Sequence, residues 1–285
     1  MVQTINTICI CGAGTMGSGI AQVAAQNGFY TILFDVNETV LERAKNSIKK
    51  NLTFLVDKQK ITADEKLEIY QRIKFVKDTN DCIADIVIEA IVEKIDAKVA
   101  LFNQLAEVNH AETIFATNTS SLSVSDIQKK VHHPERVVGM HFFNPAYLMK
   151  LVEVVKGDKS NDVVAETVYE LCKQMNKSPV MCKDAPGFIV NRVARHYYLE
   201  AMKLVELKIA TIENVDDIMQ ASGFKMGPFK LMDLIGMDIN LSVSQSMYEA
   251  FNNAERFKPS NLQIEKVKNG NLGRKTGKGF YEYSI

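Results

Sequence analysis

Apolar positions keep two rhythms along the first two thirds of the chain. Short runs rich in β-branched residues stand at TINTICIC (4–11), FYTILFD (29–35), IKFV (73–76), ADIVIEAI (84–91), TIFATNT (113–119), RVVGMHFF (136–143), KLVEVV (150–155) and SPVMCK (178–183). Each has the length and composition of a strand. Between several of them the apolar spacing changes to three and four, at SGIAQVAAQNG (18–28), NETVLERAKNSIKKNLTFLVDKQ (37–59), EKIDAKVALFNQLAEV (93–108) and VVAETVYELCKQM (163–175), which predicts helices, the second capped by Asn37. Alternating strands and helices predict an α/β fold with a largely parallel, doubly wound sheet of Rossmann type.

The rhythm changes at KDAPGF (183–188). Beyond Pro186 and Gly187 only helical patterns remain, at 189–208, at 215–222, around 231–251 and at 259–270. The expected division is a domain over 1–184 followed by a smaller all-helical domain over 185–285. The latter carries more apolar stripes than about 100 residues readily bury, which predicts a homodimer through it.

Composition narrows the function. Lys plus Arg and Asp plus Glu both total 34, so the net charge is zero and no global field attracts nucleic acid or an anionic membrane. No apolar run reaches the roughly 20 residues of a membrane span, and the first residues resemble neither a signal nor a transit segment. The expected location is the cytoplasm. Five cysteines without a CxxC or Cys/His cluster predict no metal site and read as reduced packing residues.

Two places carry candidate chemistry. Gly12-Ala13-Gly14-Thr15-Met16-Gly17 fits G-x-G-x-x-G, follows a strand and opens a helix, and Asp35 closes the next strand about 20 residues on. In that arrangement Gly12 makes the tight turn, Gly14 admits a pyrophosphate and Gly17 lets helix and strand pack closely, while the helix N-terminus supplies N–H donors. Asp35 then accepts from the adenine ribose and repels a 2′-phosphate, which favours NAD over NADP. The second place is His141 in GMHFFNP with Glu153 in LVEVV. A lone histidine in an apolar strand is more often a core residue than a catalyst. A strand ending near 143 and restarting near 151 sets it beside a carboxylate, and such a pair suits alcohol oxidation, with the imidazole taking the hydroxyl proton while hydride goes to a nicotinamide.

With these residues in view, the chain resembles the L-3-hydroxyacyl-CoA dehydrogenase family, within it the bacterial 3-hydroxybutyryl-CoA dehydrogenases. CGAGTMGSGIA, IEAIVEK, ATNTSSL, GMHFFNP, KLVEVV, DAPGFIVNR and GRKTGKGFY carry the likeness over nearly its whole length. The resemblance implies NAD-dependent interconversion of (S)-3-hydroxyacyl-CoA and 3-ketoacyl-CoA, with 3-hydroxybutyryl-CoA and acetoacetyl-CoA as short-chain substrates and a separate enoyl-CoA hydratase in the pathway. It makes His141 the base and Glu153 its partner, and places Ser120 and Asn191 near the substrate carbonyl and thioester. On the residues alone, Ser120 reads first as a helix cap, and Asn191 equally as a capping or solvated side chain.

The resemblance also puts Glu93, Lys98 and Asn144 near the ribose or nicotinamide and Lys275, in GRKTGKGFY with Arg274 and Lys278, on the cofactor. Coenzyme A is expected against the basic helix bearing Arg43, Lys45, Lys49, Lys50, Lys58 and Lys60, with Lys58, Ser120 and Asn51 as its contacts. Asn51 stands where animal members carry a serine. A sugar-acid or 3-hydroxy acid dehydrogenase, which uses a lysine base, and a non-catalytic scaffold such as the lens proteins related to this family are the competing readings.

Overall fold

Strand β1, Thr7–Cys11, is an interior strand, third from one edge of an eight-stranded sheet, and its residues after Thr7 are buried. A computed structural model describes residues 2–284. They form two compact units, the first ending at Ala185 and the second beginning at Pro186.

In the first unit β1 leads through a glycine turn into α1, Thr15–Gln26, and then β2, Tyr30–Phe34. There follow α2 (Glu38–Asp57), α3 (Ala63–Gln71), β3 (Ile73–Val76), β4 (Ile86–Glu89), α4 (Ile95–Val108), β5 (Ile114–Thr117), α5 (Val124–Gln128), β6 (Val137–Phe142), β7 (Leu151–Lys156), α6 (Asp162–Gln174) and β8 (Ser178–Lys183). The strands lie in the order β3-β2-β1-β4-β5-β6-β7-β8. β4, β5 and β6 are buried at every position, as a sheet covered on both faces requires, and this explains why they read as nearly continuous apolar runs.

Every neighbouring pair is parallel except β6 with β7. The reason is the connection at 143–150, too short for the dozen or more residues that a parallel crossover needs. The chain therefore turns back on itself, and the antiparallel register sets His141 opposite Glu153. Asn37 caps α2 as expected, accepting from the N–H of Thr39 at 2.9 Å and Val40 at 3.4 Å. Helix α3 is absent from the periodicity because Ile69 is its one buried residue; its signal is the Thr62/Glu65 capping box instead.

The second unit comprises α7 (Val190–Glu206), α8 (Ile212–Ala221), α9 (Pro228–Ile235), α10 (Met237–Ala250) and α11 (Asn261–Lys268). Tyr198, Met202, Val215, Phe229, Met232 and Met237 form its core. The apolar pattern around 231–251 resolves into two helices separated at Gly236, whose φ is 104°. No helix among the described residues is long and apolar enough to cross a membrane.

Candidate active site

The glycine turn is built for close approach. Gly12 donates its N–H to Phe34 O at 2.8 Å and holds φ at 100°, where a Cβ would lie 2.6 Å from the carbonyl oxygen of Ala90. A Cβ on Gly17 would lie 1.7 Å from the carbonyl oxygen of Gly12, so helix α1 meets the strand end only with glycine there. Gly14 is different: a Cβ would meet nothing within 4 Å, and the residue is exposed with Thr15 beside it. The space it leaves fronts the first turn of α1, whose N–H groups lack partners within the helix and favour an anion.

Asp35 stands next to this space. One carboxylate oxygen accepts from the N–H of Ala13 at 2.9 Å and the other from that of Asn37 at 2.9 Å, which ties the glycine turn to the start of α2. A carboxylate has about four acceptor positions, so capacity remains for ribose hydroxyls. Gly12, Gly14, Asp35, Val36, Ile91 and Leu101 line a cavity of about 910 Å³, large enough for most of a dinucleotide. The residues present fit NAD: the turn of helix behind Gly14 and Met16 could seat its pyrophosphate, and Asp35 could accept from its ribose.

Beneath the next strand ends lies a network that the strand pattern does not announce. Lys98 of α4 is 1% exposed and places Nζ 2.7 Å from Glu89 and 3.0 Å from Glu93. Glu89, fully buried at the end of β4, also accepts from the N–H of Ile91 at 2.7 Å and the Thr117 hydroxyl at 2.8 Å. Glu93 accepts from the hydroxyls of Thr119 and Ser121 and from the N–H of Ser120, so it holds the loop after β5. Burial pushes the Glu89 carboxyl above the usual range despite the Lys98 charge. Burial works the same way on Glu93, but there Lys98 and the Thr119 and Ser121 hydroxyls prevail and hold the carboxyl below that range. Glu89 and Thr117 were not foreseen; the available signal was a carboxylate inside the apolar run ADIVIEAI, the same signal that marked Glu153.

On the adjoining strands His141 Nδ1 lies 2.8 Å from Glu153 Oε2, with both residues buried. Phe143 packs on the imidazole, ring centroids 4.5 Å apart. The side chain of Asn118, at the end of β5, accepts from the N–H of Phe142 at 2.9 Å and so fixes the strand beside the histidine. Asn144 is exposed immediately beyond. On the other side of β7, burial, aided by the charges of Glu153 and Asp184, pushes the Cys182 thiol up to about 11.

The remaining residues are placed as follows. The capping duty in NTSSLSVSD falls to Ser123, which accepts from the N–H of Asp126 at 3.0 Å, while Ser120 sits one turn earlier in the loop held by Glu93. Asn191 is the second residue of α7 in the other unit. Lys275 belongs to that unit too, and its Nζ lies 2.5 and 2.6 Å from the carboxylate oxygens of Asp238. Lys278 pairs with Glu282, and Arg274 lies over Tyr283. GRKTGKGFY is also a fastening, for Asp233 accepts the N–H groups of Phe280 and Tyr281 and the Tyr283 hydroxyl. On α2, Asn51 donates to Gln22 at 3.1 Å, Lys45 pairs with Glu42, and Lys58 lies over the exposed ring of Phe54. Arg43, Lys49, Lys50 and Lys60 are exposed on the same helix and its C-terminal turn.

Comparison with known proteins points to one family. Residues 7–185 match the 3-hydroxyacyl-CoA dehydrogenase NAD binding domain, and residues 187–283 match the C-terminal domain of the same family. A 3-hydroxyadipyl-CoA dehydrogenase from Escherichia coli is 45% identical over 99% of this chain, which spans 60% of that protein's length. A probable 3-hydroxybutyryl-CoA dehydrogenase from Bacillus subtilis is 40% identical, with 98% of each chain covered. The crystal structure of an (S)-3-hydroxybutyryl-CoA dehydrogenase from Ralstonia eutropha superposes with a TM-score of 0.94 at 36% identity, covering 99% of this chain and all of the other. With a glycine turn shaped for a dinucleotide and both domains matched in order, the chain belongs to the 3-hydroxyacyl-CoA dehydrogenase family of oxidoreductases, and its cofactor is NAD.

Proposed function

We propose that this chain oxidises (S)-3-hydroxyacyl-CoA to 3-ketoacyl-CoA and runs the reverse reduction, with 3-hydroxybutyryl-CoA and acetoacetyl-CoA as substrates. The observation that carries the reading is the buried contact of His141 Nδ1 with Glu153 at 2.8 Å. Bound NAD supplies the acceptor for the hydride that leaves the carbinol carbon. Because Nδ1 faces the carboxylate, Nε2 is the atom that takes the hydroxyl proton as hydride departs and returns it to the ketone oxygen in the reverse direction. Glu153 orients the ring, selects its tautomer and stabilises the imidazolium.

In this reading Ser120 and Asn191 donate to the substrate carbonyl and thioester, and Asp35 holds the adenine ribose. Glu93, Lys98 and Asn144 lie near the ribose or nicotinamide, with Lys98 holding Glu93. Lys275 reaches the cofactor by exchanging Asp238 for it. Coenzyme A lies along α2, with Lys58 and Asn51 as contacts. The free thiols suit a reducing cytoplasm. Exposed Ile218, Phe224, Leu234, Ile239 and Ile264 on the helical unit support a homodimer formed through it. A separate enoyl-CoA hydratase supplies the hydroxyacyl substrate.

The test is acetoacetyl-CoA-dependent oxidation of NADH, extended to longer acyl chains. The name of the Escherichia coli relative adds one arm, an acyl-CoA whose chain ends in a carboxylate. Turnover with acetoacetyl-CoA is the expected result. Folded protein that binds NADH and turns over no member of the series would overturn the reading.

A further inference from the structure

All five cysteines have the sequence setting of packing residues. Three of them meet. Cys9 and Cys11 alternate along β1 with Ile8 and Ile10, which pack in the core with α1, so the two thiols share the opposite face of the sheet. Cys82 arrives there at the end of the short 3-10 turn Thr79–Asp81. The three sulfurs all lie within 4.8 Å of one another, and Cys9 Sγ is 3.8 Å from Cys11 Sγ. All three residues are inaccessible to solvent.

We propose that Cys9, Cys11 and Cys82 form a binding site for a soft, thiophilic monovalent cation, with Cu(I) as its ion. The Cys9–Cys11 spacing is that of a coordination shell, and Cys82 is near enough to close it: two thiolates bound at about 2.3 Å to one metal sit about 3.8 Å apart at a tetrahedral centre and about 4.0 Å apart at a trigonal one. The donor set chooses the ion. Sulfur selects soft metals, and the oxygen within reach, the Asp78 carbonyl 3.6 Å from Cys82 Sγ, is too little for a hard cation. Structural zinc takes four protein ligands, whereas the cluster offers three among the described residues, which matches the low coordination numbers of Cu(I). Entry is through Cys82, because its chain neighbours Asp81 and Ile83 are both exposed.

Position makes the site consequential. Cys11 precedes Gly12, and Asp78 and Thr79, on the turn that delivers Cys82, line the same cavity as Gly12 and Asp35. An ion that draws the three sulfurs together pulls on two walls of the cofactor cavity.

The experiment is anaerobic titration of the reduced full chain with Cu(I) against a chromogenic Cu(I) chelator, followed by X-ray absorption of the loaded protein. One copper ion per chain should be withdrawn from the chelator, and the metal should show a shell of sulfur alone at about 2.3 Å. Cys82→Ala should lower the affinity by about 100-fold or more, since even the loss of a group that merely supports a ligand costs about 10–100-fold. Cys182→Ala, outside the cluster, should leave the titration unchanged. Failure of the unmodified protein to compete with the chelator, nitrogen or oxygen in the shell, or full affinity in folded Cys82→Ala would each overturn the site. Should Cys82→Ala not fold, the absorption spectrum of the unmodified protein decides alone.

Discussion

Replacing Lys98 by methionine isolates what the network under the active site is worth. The side chain keeps its length and apolar stem but loses the ammonium that lies 2.7 Å from Glu89 and 3.0 Å from Glu93. Glu89 is fully buried and would keep only its bonds from Ile91 and Thr117. Removing one member of a buried ion pair costs about 3–5 kcal/mol, because the other is left charged without its counter-ion. Glu93 adds little to that sum, since its side chain is 39% exposed and water replaces the lysine. The sign of the pH dependence follows from Glu89. Its carboxyl is already pushed up by burial with Lys98 present, so what it contributes is fully present below the unfolded value of about 4.3 and is lost as pH rises through the folded value. Without Lys98 the folded value rises further. The deficit of Lys98→Met should therefore widen from about pH 5.5 to about pH 8, and Glu89→Gln in the same chain should recover a large part of it at the higher pH. Urea denaturation followed by circular dichroism reads all three. A loss below about 1 kcal/mol at about pH 8, an equal loss at both pH values, or no recovery on adding Glu89→Gln would refute the reasoning.

Three further outcomes are expected. His141→Gln should lower kcat by roughly 10²–10⁴ with NADH binding near normal, Glu153→Gln should cost comparably, and the double variant should be little worse than either; full activity in folded His141→Gln would make the histidine a core residue. Asp35→Ser should raise KM for NADH and shrink the penalty for NADPH, and equal use of both cofactors by the unmodified protein would defeat the role given to Asp35. Gly14→Ala should leave thermal stability nearly unchanged yet weaken NADH binding measured by fluorescence, because its methyl meets nothing in the protein and fills the pyrophosphate space, whereas Gly17→Ala should destabilise the fold itself through the 1.7 Å approach to Gly12; tight NADH binding by Gly14→Ala would move the pyrophosphate elsewhere.

Much of the site was legible before any coordinates. Gly12, Gly14, Gly17 and Asp35 declare themselves because a strand, a turn, a helix and a strand follow one another within a short stretch, and the chemistry of that stretch depends on local backbone geometry. His141 and Glu153 were legible for the same reason. Two strands joined by a short connection pair in antiparallel register, so period-two alternation carries both side chains to one place. The long helices and the change of style near Pro186 likewise follow from spacing alone.

What escaped the sequence depends on which elements pack together. The partner of Lys98 is fixed only when the ends of β4 and β5 lie side by side under α4. Lys275 gains Asp238 as a partner only when the C-terminal segment folds against α10. Ser120 and Ser123 are interchangeable as caps in a serine-rich run, and the boundaries of α5 separate them. Helix α3, which buries only Ile69, leaves no continuous apolar stripe to read. The thiols of Cys9 and Cys11 are neighbours by alternation, but Cys82 joins them from more than 70 residues away through the sheet and a 3-10 turn. Periodicity records which face of an element is buried; it does not record what the buried groups of different elements find when those faces meet, and a charge, a hydroxyl or a thiol takes its meaning from that meeting.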